Sequence, residues 1–301
     1  MGPPDDPNRH PSDTDTRPFF SIPYWTTPLS AGGRWDTGED RPLPAQVVSY
    51  ACESIKTSAY QPGAALDVTV DIRNVGGGNS ASIATMVVYW DVPSVGFAHP
   101  TFFAATTVSV QPSRNVAASQ RTPTMTAVIP ATAPDHICLV VCVSHPQDKA
   151  GTACDPFHDR HWAQRNLQAV TAAVGAPVIF PVMVTNPSEV ASVFDVQVGS
   201  ADERRASTVA HMFDTEPSGI RGRVRLLDEQ GAEVSVDGEQ TRMSVELGPL
   251  GQRQLQVMIE LDTDVPRGRS ALIEVGLIDR RGAQGLVGSL GVVLLPPAGD
   301  S

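Results

Sequence analysis

The stretch Leu66-Asp67-Val68-Thr69-Val70-Asp71-Ile72-Arg73-Asn74-Val75-Gly76-Gly77-Gly78 decides how the rest of the chain is read. Leu66, Val68, Val70 and Ile72 alternate with Asp67, Thr69, Asp71 and Arg73. Successive strand side chains point to opposite faces, so the pattern predicts a strand with one buried and one wet face. Asn74 and the glycines behind it predict a turn, because glycine takes backbone angles closed to other residues.

Strand signals recur outward from this segment at the spacing of a β-sandwich. In the first half they fall at 46–54, 65–74, 84–92, 102–110, 123–129, 136–144 and 166–174. In the second they fall at 177–185, 191–198, 220–228, 232–237, 242–247, 254–261, 270–279 and 286–295, with a hairpin connection over Arg280–Gly285. No helix longer than two turns is expected. Residues 159–168 predict one short turn, and Asp202-Glu203-Arg204-Arg205 belongs to a polar connector. The 26 Pro and 25 Gly favour many short elements joined by turns.

Two strands depart from the opening pattern. In 84–92, Met86, Val88 and Trp90 face one way and Val87 and Tyr89 the other. In 136–144, Ile137, Leu139, Val141 and Val143 oppose Cys138, Val140 and Cys142. Strands apolar on both faces sit centrally with both sides covered. The core covers one side; the aromatic segment 18–29, the long loop 145–165 or a second protein must cover the other.

Composition narrows the function classes. A net charge of −11 opposes non-specific nucleic-acid binding, which depends on neutralising phosphates. No apolar run approaches the ~20 residues of a spanning helix, so no membrane insertion is expected. The start Met1-Gly2-Pro3-Pro4-Asp5-Asp6 lacks a secretory signal, which implies a cytoplasmic protein or one exported without a recognisable leader. Residues 1–17 read as a disordered acidic, proline-rich tail. Phe19, Phe20, Tyr24 and Trp25 then crowd four aromatics into a docking segment, 18–44, that either covers its own sheet or grips a partner. Phe157 and Trp162 in the loop carry the same two readings.

The run Val68-Thr69-Val70-Asp71-Ile72-Arg73-Asn74-Val75-Gly76, followed by Val87-Val88-Tyr89-Trp90-Asp91, resembles the bacterial cell-adhesion-related domain of immunoglobulin-like sandwiches. Asp159-Arg160-His161-Trp162-Ala163-Gln164-Arg165-Asn166 stands where such domains lead into their last strand. The resemblance covers 45–174, with an echo at Val182-Met183-Val184-Thr185-Asn186-Pro187. It implies an immunoglobulin-like fold for that stretch; with the strand spacing of the second half, the expectation is an all-β chain of two tandem immunoglobulin-like sandwiches, 45–175 and 176–298, and the expected role is non-enzymatic.

Chemistry-bearing residues cluster at His136, Cys138, Cys142, His145, Cys154, Asp155, His158, Asp159 and His161. Zinc takes Cys and His in tetrahedral sets, and Cys154, His158 and His161 form the most compact subset. No Cys-x2-Cys knuckle accompanies them, and alternate residues on one strand do not converge as a triad requires. Cys138 and Cys142 lie about 13 Å apart along a strand, too far to bridge. No catalytic residue, metal or cofactor is therefore assigned. The expected function is a structural or protein-interaction module of a larger bacterial assembly, docking through sheet faces and edges. The alternatives are a glycan or small-ligand module that stacks on Trp90, Phe157 and Trp162, and a metal protein built on the Cys154 loop.

Overall fold

The computed structural model describes residues 15–28, 35–113, 118–234, 241–281 and 285–297. They form two compact units, one within Met1–Val92 and Pro100–Arg165, the other within Pro93–His99 and Asn166–Ser301. Both are β-sandwiches, and the described residues are all-β apart from one helix.

The strands begin with β1 (Phe20–Ser21), β2 (Ile55–Thr57), β3 (Ala65–Asn74) and β4 (Ser82–Asp91). The two-residue β5 (Ser94–Val95) belongs to unit 2. Unit 1 resumes with β6 (Thr101–Val110), β7 (Gln120–Arg121), β8 (Met125–Val128), β9 (Cys138–Ser144) and β10 (Trp162–Arg165). β3 is the spine of one sheet, with β2 and β1 along one side and β8 and β7 along the other. The facing sheet runs β10-β9-β4-β6, all antiparallel. Two facing antiparallel sheets, of five and four strands, make a sandwich of the immunoglobulin-like kind. Leu66, Val68, Val70 and Ile72 pack against Ala84, Met86, Val88, Leu139, Val141 and Val143 between the sheets.

The opening strand spans the residues that its alternation predicts, but its wet face is shorter. Ala65 and Asp67 are exposed, whereas Asp71 and Arg73 are buried. The glycine tract also works differently from the expected turn. Neither Gly76 nor Gly78 needs a positive φ. A Cβ on Gly76 would lie 2.4 Å from the Arg17 carbonyl oxygen, and one on Gly78 would lie 2.7 Å from that of Thr16. Segment 15–19 crosses here, and Asn74 clamps it. The Asn74 Oδ1 accepts from Phe19 N–H at 3.0 Å and from Gly76 N–H at 3.1 Å. Of the expected tail 1–17, residues 1–14 lie outside the described residues. Residues 15–17 are held, with Arg17 paired to Asp15 at 2.7 Å and the Asp15 carbonyl accepting from Gly77 N–H at 3.2 Å.

Unit 2 contains β11 (Leu167–Thr171), β12 (Val178–Thr185), β13 (Ser192–Ser200), α1 (Glu203–Met212), β14 (Glu216–Pro217) and β15 (Gly222–Leu227). It ends with β16 (Thr241–Leu247), β17 (Gln252–Leu261), β18 (Arg269–Asp279) and β19 (Gly285–Leu295). One sheet runs β11-β19-β18-β13-β16 and the other β15-β17-β12-β5. The echo at 182–187 is physical. Asn186 Oδ1 accepts from Ser188 N–H at 3.0 Å, and its Nδ2 donates to the Gly248 carbonyl at 2.8 Å. Asn74 shows the same bond from its i+2 residue.

Several expectations require correction. Residues 46–54 form turns, with Val47, Ala51 and Ile55 N–H groups each bonding three residues back. Their apolar side chains are inward because this turning segment wraps the core. The 166–174 strand does not close the first sandwich; β11 pairs in parallel with β19, so unit 1 ends at Arg165. Residues 162–165, expected in a turn, are β10. Of the strand expected at 232–237, residues 235–237 lie outside the described residues, and Glu233 makes only an isolated bridge to Leu227.

The polar connector is the helix α1. Asp202 caps it by accepting from Arg205 N–H at 2.9 Å, the usual cap-to-N3 bond. Only Val209 and Ala210 are buried, so its apolar stripe was too narrow to stand out.

Gly76→Ala is expected to destabilise unit 1 by about 1–3 kcal/mol, the usual cost of overpacking. Gly219→Ala, where a new Cβ meets nothing within 4 Å, should leave urea unfolding unchanged.

Candidate binding face and the lid that bounds it

Strand β9 poses the problem that its sequence announced, since Cys138 through Val143 are all buried. Leu139, Val141 and Val143 enter the core; Cys138, Val140 and Cys142 point the other way. The loop 145–161 covers that outer side. Trp162 of β10 lies opposite Cys142, and its indole N–H donates to the Gly151 carbonyl at 3.2 Å.

Four charged side chains pin the loop. Arg160 and Asp148 form a buried ion pair. His161 stands between two carboxylates, with Nδ1 2.7 Å from Asp159 and Nε2 3.3 Å from Asp148. Asp159 also accepts from Gly151 N–H at 2.7 Å, and Asp148 from Phe20 N–H at 2.6 Å. The Arg160 guanidinium lies 3.8 Å over the Phe19 ring. Both ring nitrogens of His161 face carboxylates, Nδ1 bonded to Asp159 and Nε2 in ion-pair contact with Asp148, so the imidazolium suits the site and the cluster is neutral. Burial works against that charge, but the Asp148 and Asp159 bonds outweigh it and raise the His161 pKa. Burial likewise opposes ionisation of the two aspartates, yet the His161 bond leads the effects that hold both low.

The aromatic segment is part of the same construction. Phe19, Phe20, Tyr24 and Trp25 are buried, as are Phe157 and Trp162. Side chains without surface cannot grip a partner, so all six belong to the interior of unit 1. The segment 35–41 holds them in place: Asp36 accepts from Tyr24 N–H at 2.6 Å and pairs with Arg41 at 3.1 Å.

The metal subset does not assemble. His161 is committed to Asp148 and Asp159, and His158 lies 2.9 Å from Asp155. Cys154 is buried near Cys142, with its thiol pKa raised first by burial. Among the described residues, no three His, Cys, Asp or Glu side chains converge on a point. All four cysteines are free, and burial pushes the Cys52 pKa up to about 12.

The lid leaves the β4/β6 half of this sheet bare. Register places Ile83 opposite Ser109, Thr85 opposite Thr107, Val87 opposite Ala105 and Tyr89 opposite Phe102. Ala84, Met86 and Val88 point into the core, so these eight side chains share the outer face. None is charged. Ile83 is 64% exposed and Phe102 61%. Tyr89 links lid and face, stacking on Trp162 at 6.1 Å and meeting Phe102 edge-on at 6.4 Å. Trp90, the expected stacking residue, packs instead against the core.

The other outer faces differ. On the β3 sheet, Asp71 pairs with Arg121 at 2.8 Å and Lys56 at 3.6 Å. In unit 2, Asp195 accepts from Arg280 at 2.8 Å and Ser244 at 2.8 Å and also pairs with Arg242. Burial opposes its ionisation, but these bonds lower its pKa to about 2. A groove of about 410 Å³ in unit 2 is lined by Arg223, Arg225 and Glu233, and Arg225 is already paired to Glu260 at 2.9 Å.

No family model and no curated protein matches the chain. Among solved structures, a candidate carbohydrate-binding protein from Bacteroides ovatus overlaps at TM-score 0.32 and 13% identity, over 44% of this chain and 36% of that one. The collagen adhesin of S. aureus overlaps at TM-score 0.26 and 6% identity, over 82% and 93%. The CupB6 tip adhesin of Pseudomonas aeruginosa overlaps at 0.25 and 8%, over 81% and 94%. Scores and identities this low leave the functional reading to the chain's own geometry.

Asp148→Asn should cost about 3–5 kcal/mol, because it strands the buried Arg160 and His161 charges. The pH dependence has two limbs. The lowered aspartate pKa values give stability present above the ordinary carboxylate value of 3.8 and lost as acid titrates the folded groups. The raised His161 pKa gives stability complete below 6.5 and lost as pH rises through the folded value. Hydrogen exchange of 145–161 should therefore be slowest between these limits, and His161→Gln should remove the alkaline limb.

Proposed function

We propose that this chain is a non-enzymatic docking module of a larger assembly, and that it binds a protein partner through the β4/β6 outer face of unit 1. The observation that carries this reading is the uncharged patch centred on Tyr89 and Phe102, with Ile83 and Phe102 largely exposed. Exposed apolar patches rimmed by polar groups mark interaction sites, and aromatic side chains anchor them. The hydroxyls of Thr85, Thr107 and Ser109 supply hydrogen-bonding capacity without a charge to desolvate.

Glycan stacking is the weaker alternative. A sugar face lies flat on an aromatic platform, whereas Tyr89 and Phe102 meet at 83°. An edge-to-face pair offers a ridge and a notch, which suit an irregular protein surface.

Pull-down with the full chain tests the reading. Phe102→Ala is expected to weaken partner retention at least ~10-fold, the scale of a truncated hot-spot aromatic. Its thermal unfolding should stay unchanged because the side chain is 61% exposed. Undiminished retention by Phe102→Ala and by Ile83→Asp would move the interface elsewhere.

A further inference from the structure

Sheet edges expose unpaired backbone groups and template association unless they are short, charged or interrupted by proline. Among the described strands, nearly every edge here is guarded in one of these ways. β1, β2, β5, β7, β8, β10, β11 and β14 each run five residues or fewer. The longer edges carry blockers: Arg223 and Arg225 on β15, Arg242 and Glu246 on β16, and Pro181 where β12 extends beyond β5. Beyond β11, the uncharged stretch Gly285–Leu290 of β19 is approached at Gly288 by Val95 and Gly96, which leaves β6 as the longest unguarded edge among the described residues. Thr101–Val110 is ten residues long, without charge or proline, and pairs with β4 alone.

We propose that β6 is a self-association edge, against which a second copy of this chain sets its own β6 antiparallel about a two-fold axis. The inference rests on the reading of the β4/β6 side of unit 1 as the docking surface, and it names the occupant of the edge. Charge permits a second copy at this strand even though it opposes one elsewhere. The net charge of −11 sets two copies against each other in general, whereas β6 against β6 places no charge opposite a like charge. A two-fold contact also needs a self-complementary patch, and this strand is one.

The register follows from the fold. A bulge at Val88/Tyr89 disturbs the start of β6, leaving 104–110 as its regular part. Ala105, Thr107 and Ser109 share the outer face. Residues of one face meet across the axis when Thr107 lies on it. Ala105 then faces Ser109, Thr106 faces Val108, and Ala104 faces Val110. Every pair is small or β-branched, as cross-strand packing favours. The two four-stranded sheets become one continuous sheet, and the two Phe102 patches share a face.

Sedimentation velocity on the full chain across a wide concentration range tests this. The expected result is a monomer–dimer equilibrium. Thr107→Lys, which sets like charges on the axis, should weaken it at least tenfold while circular dichroism and the unfolding midpoint stay unchanged. Thr107→Cys should cross-link under mild oxidation, and Thr85→Cys on the neighbouring strand should not. A monomer at the highest attainable concentration, or a dimer indifferent to Thr107→Lys, overturns the proposal. Phe102→Ala keeps the two readings apart: loss of the partner with the dimer intact leaves this inference standing, and loss of the dimer alone leaves the face.

Discussion

A strand that is apolar on both faces has to be covered twice, and unit 1 is organised around that constraint. β9 supplies Leu139, Val141 and Val143 to the core and still presents Cys138, Val140 and Cys142 on its other side. Left wet, that second side would forfeit the burial that stabilises the strand. The loop 145–161 exists in this conformation to cover it. The N-terminal segment is built into the same unit, since Asp148 of the loop accepts from Phe20 N–H. Core, lid and terminal segment are thus one structural problem with one solution.

That solution buries four charges, which is an expensive way to hold a loop. Transfer of charges from water costs several kcal/mol each unless they are paired and hydrogen-bonded. The cluster meets the pairing part of this condition by matching Asp148 and Asp159 with Arg160 and a protonated His161. A hydrophobic loop of equal volume would be no less stable, by the same reasoning. What the charged version adds is geometry: an ion pair and two imidazolium bonds have one arrangement, whereas apolar side chains have several. The edge of the lid, and hence the border of the bare β4/β6 face, is fixed by that uniqueness.

The strands proved legible wherever hydrophobic alternation was strong. β3, β6 and β17 occupy the predicted stretches to within two residues, because period-2 burial is written into their side chains. Residues 46–54 show how pattern misleads: Val47, Val48, Tyr50 and Cys52 are all buried, yet turns place them there. Helix α1 was missed for the opposite reason, having two buried residues and a polar remainder. The aromatic clusters drew attention by composition, and composition cannot tell an anchor in the core from one at an interface. Phe102, the exposed ring that matters most, sat beside Phe103 in a strand that looked ordinary. Its orientation depends on the bulge at Val88/Tyr89, which no local sequence signal announces.

The two units also solve the exposed-sheet problem differently. In unit 2 the outer side of the larger sheet carries Asp195 among Arg242, Arg280 and Ser244, and α1 packs by Val209 and Ala210. Charge therefore lines that face. In unit 1 the lid stops at Tyr89, and beyond it neither charge nor chain among the described residues covers Phe102 and Ile83. The proteins around such a chain would select against an unguarded apolar face and edge if these served no purpose, because both promote aggregation. A single lysine at Thr107 or Ala105 would have guarded them with no loss of packing. Their presence beside edges that are mostly guarded argues that this side of unit 1 is open for contact.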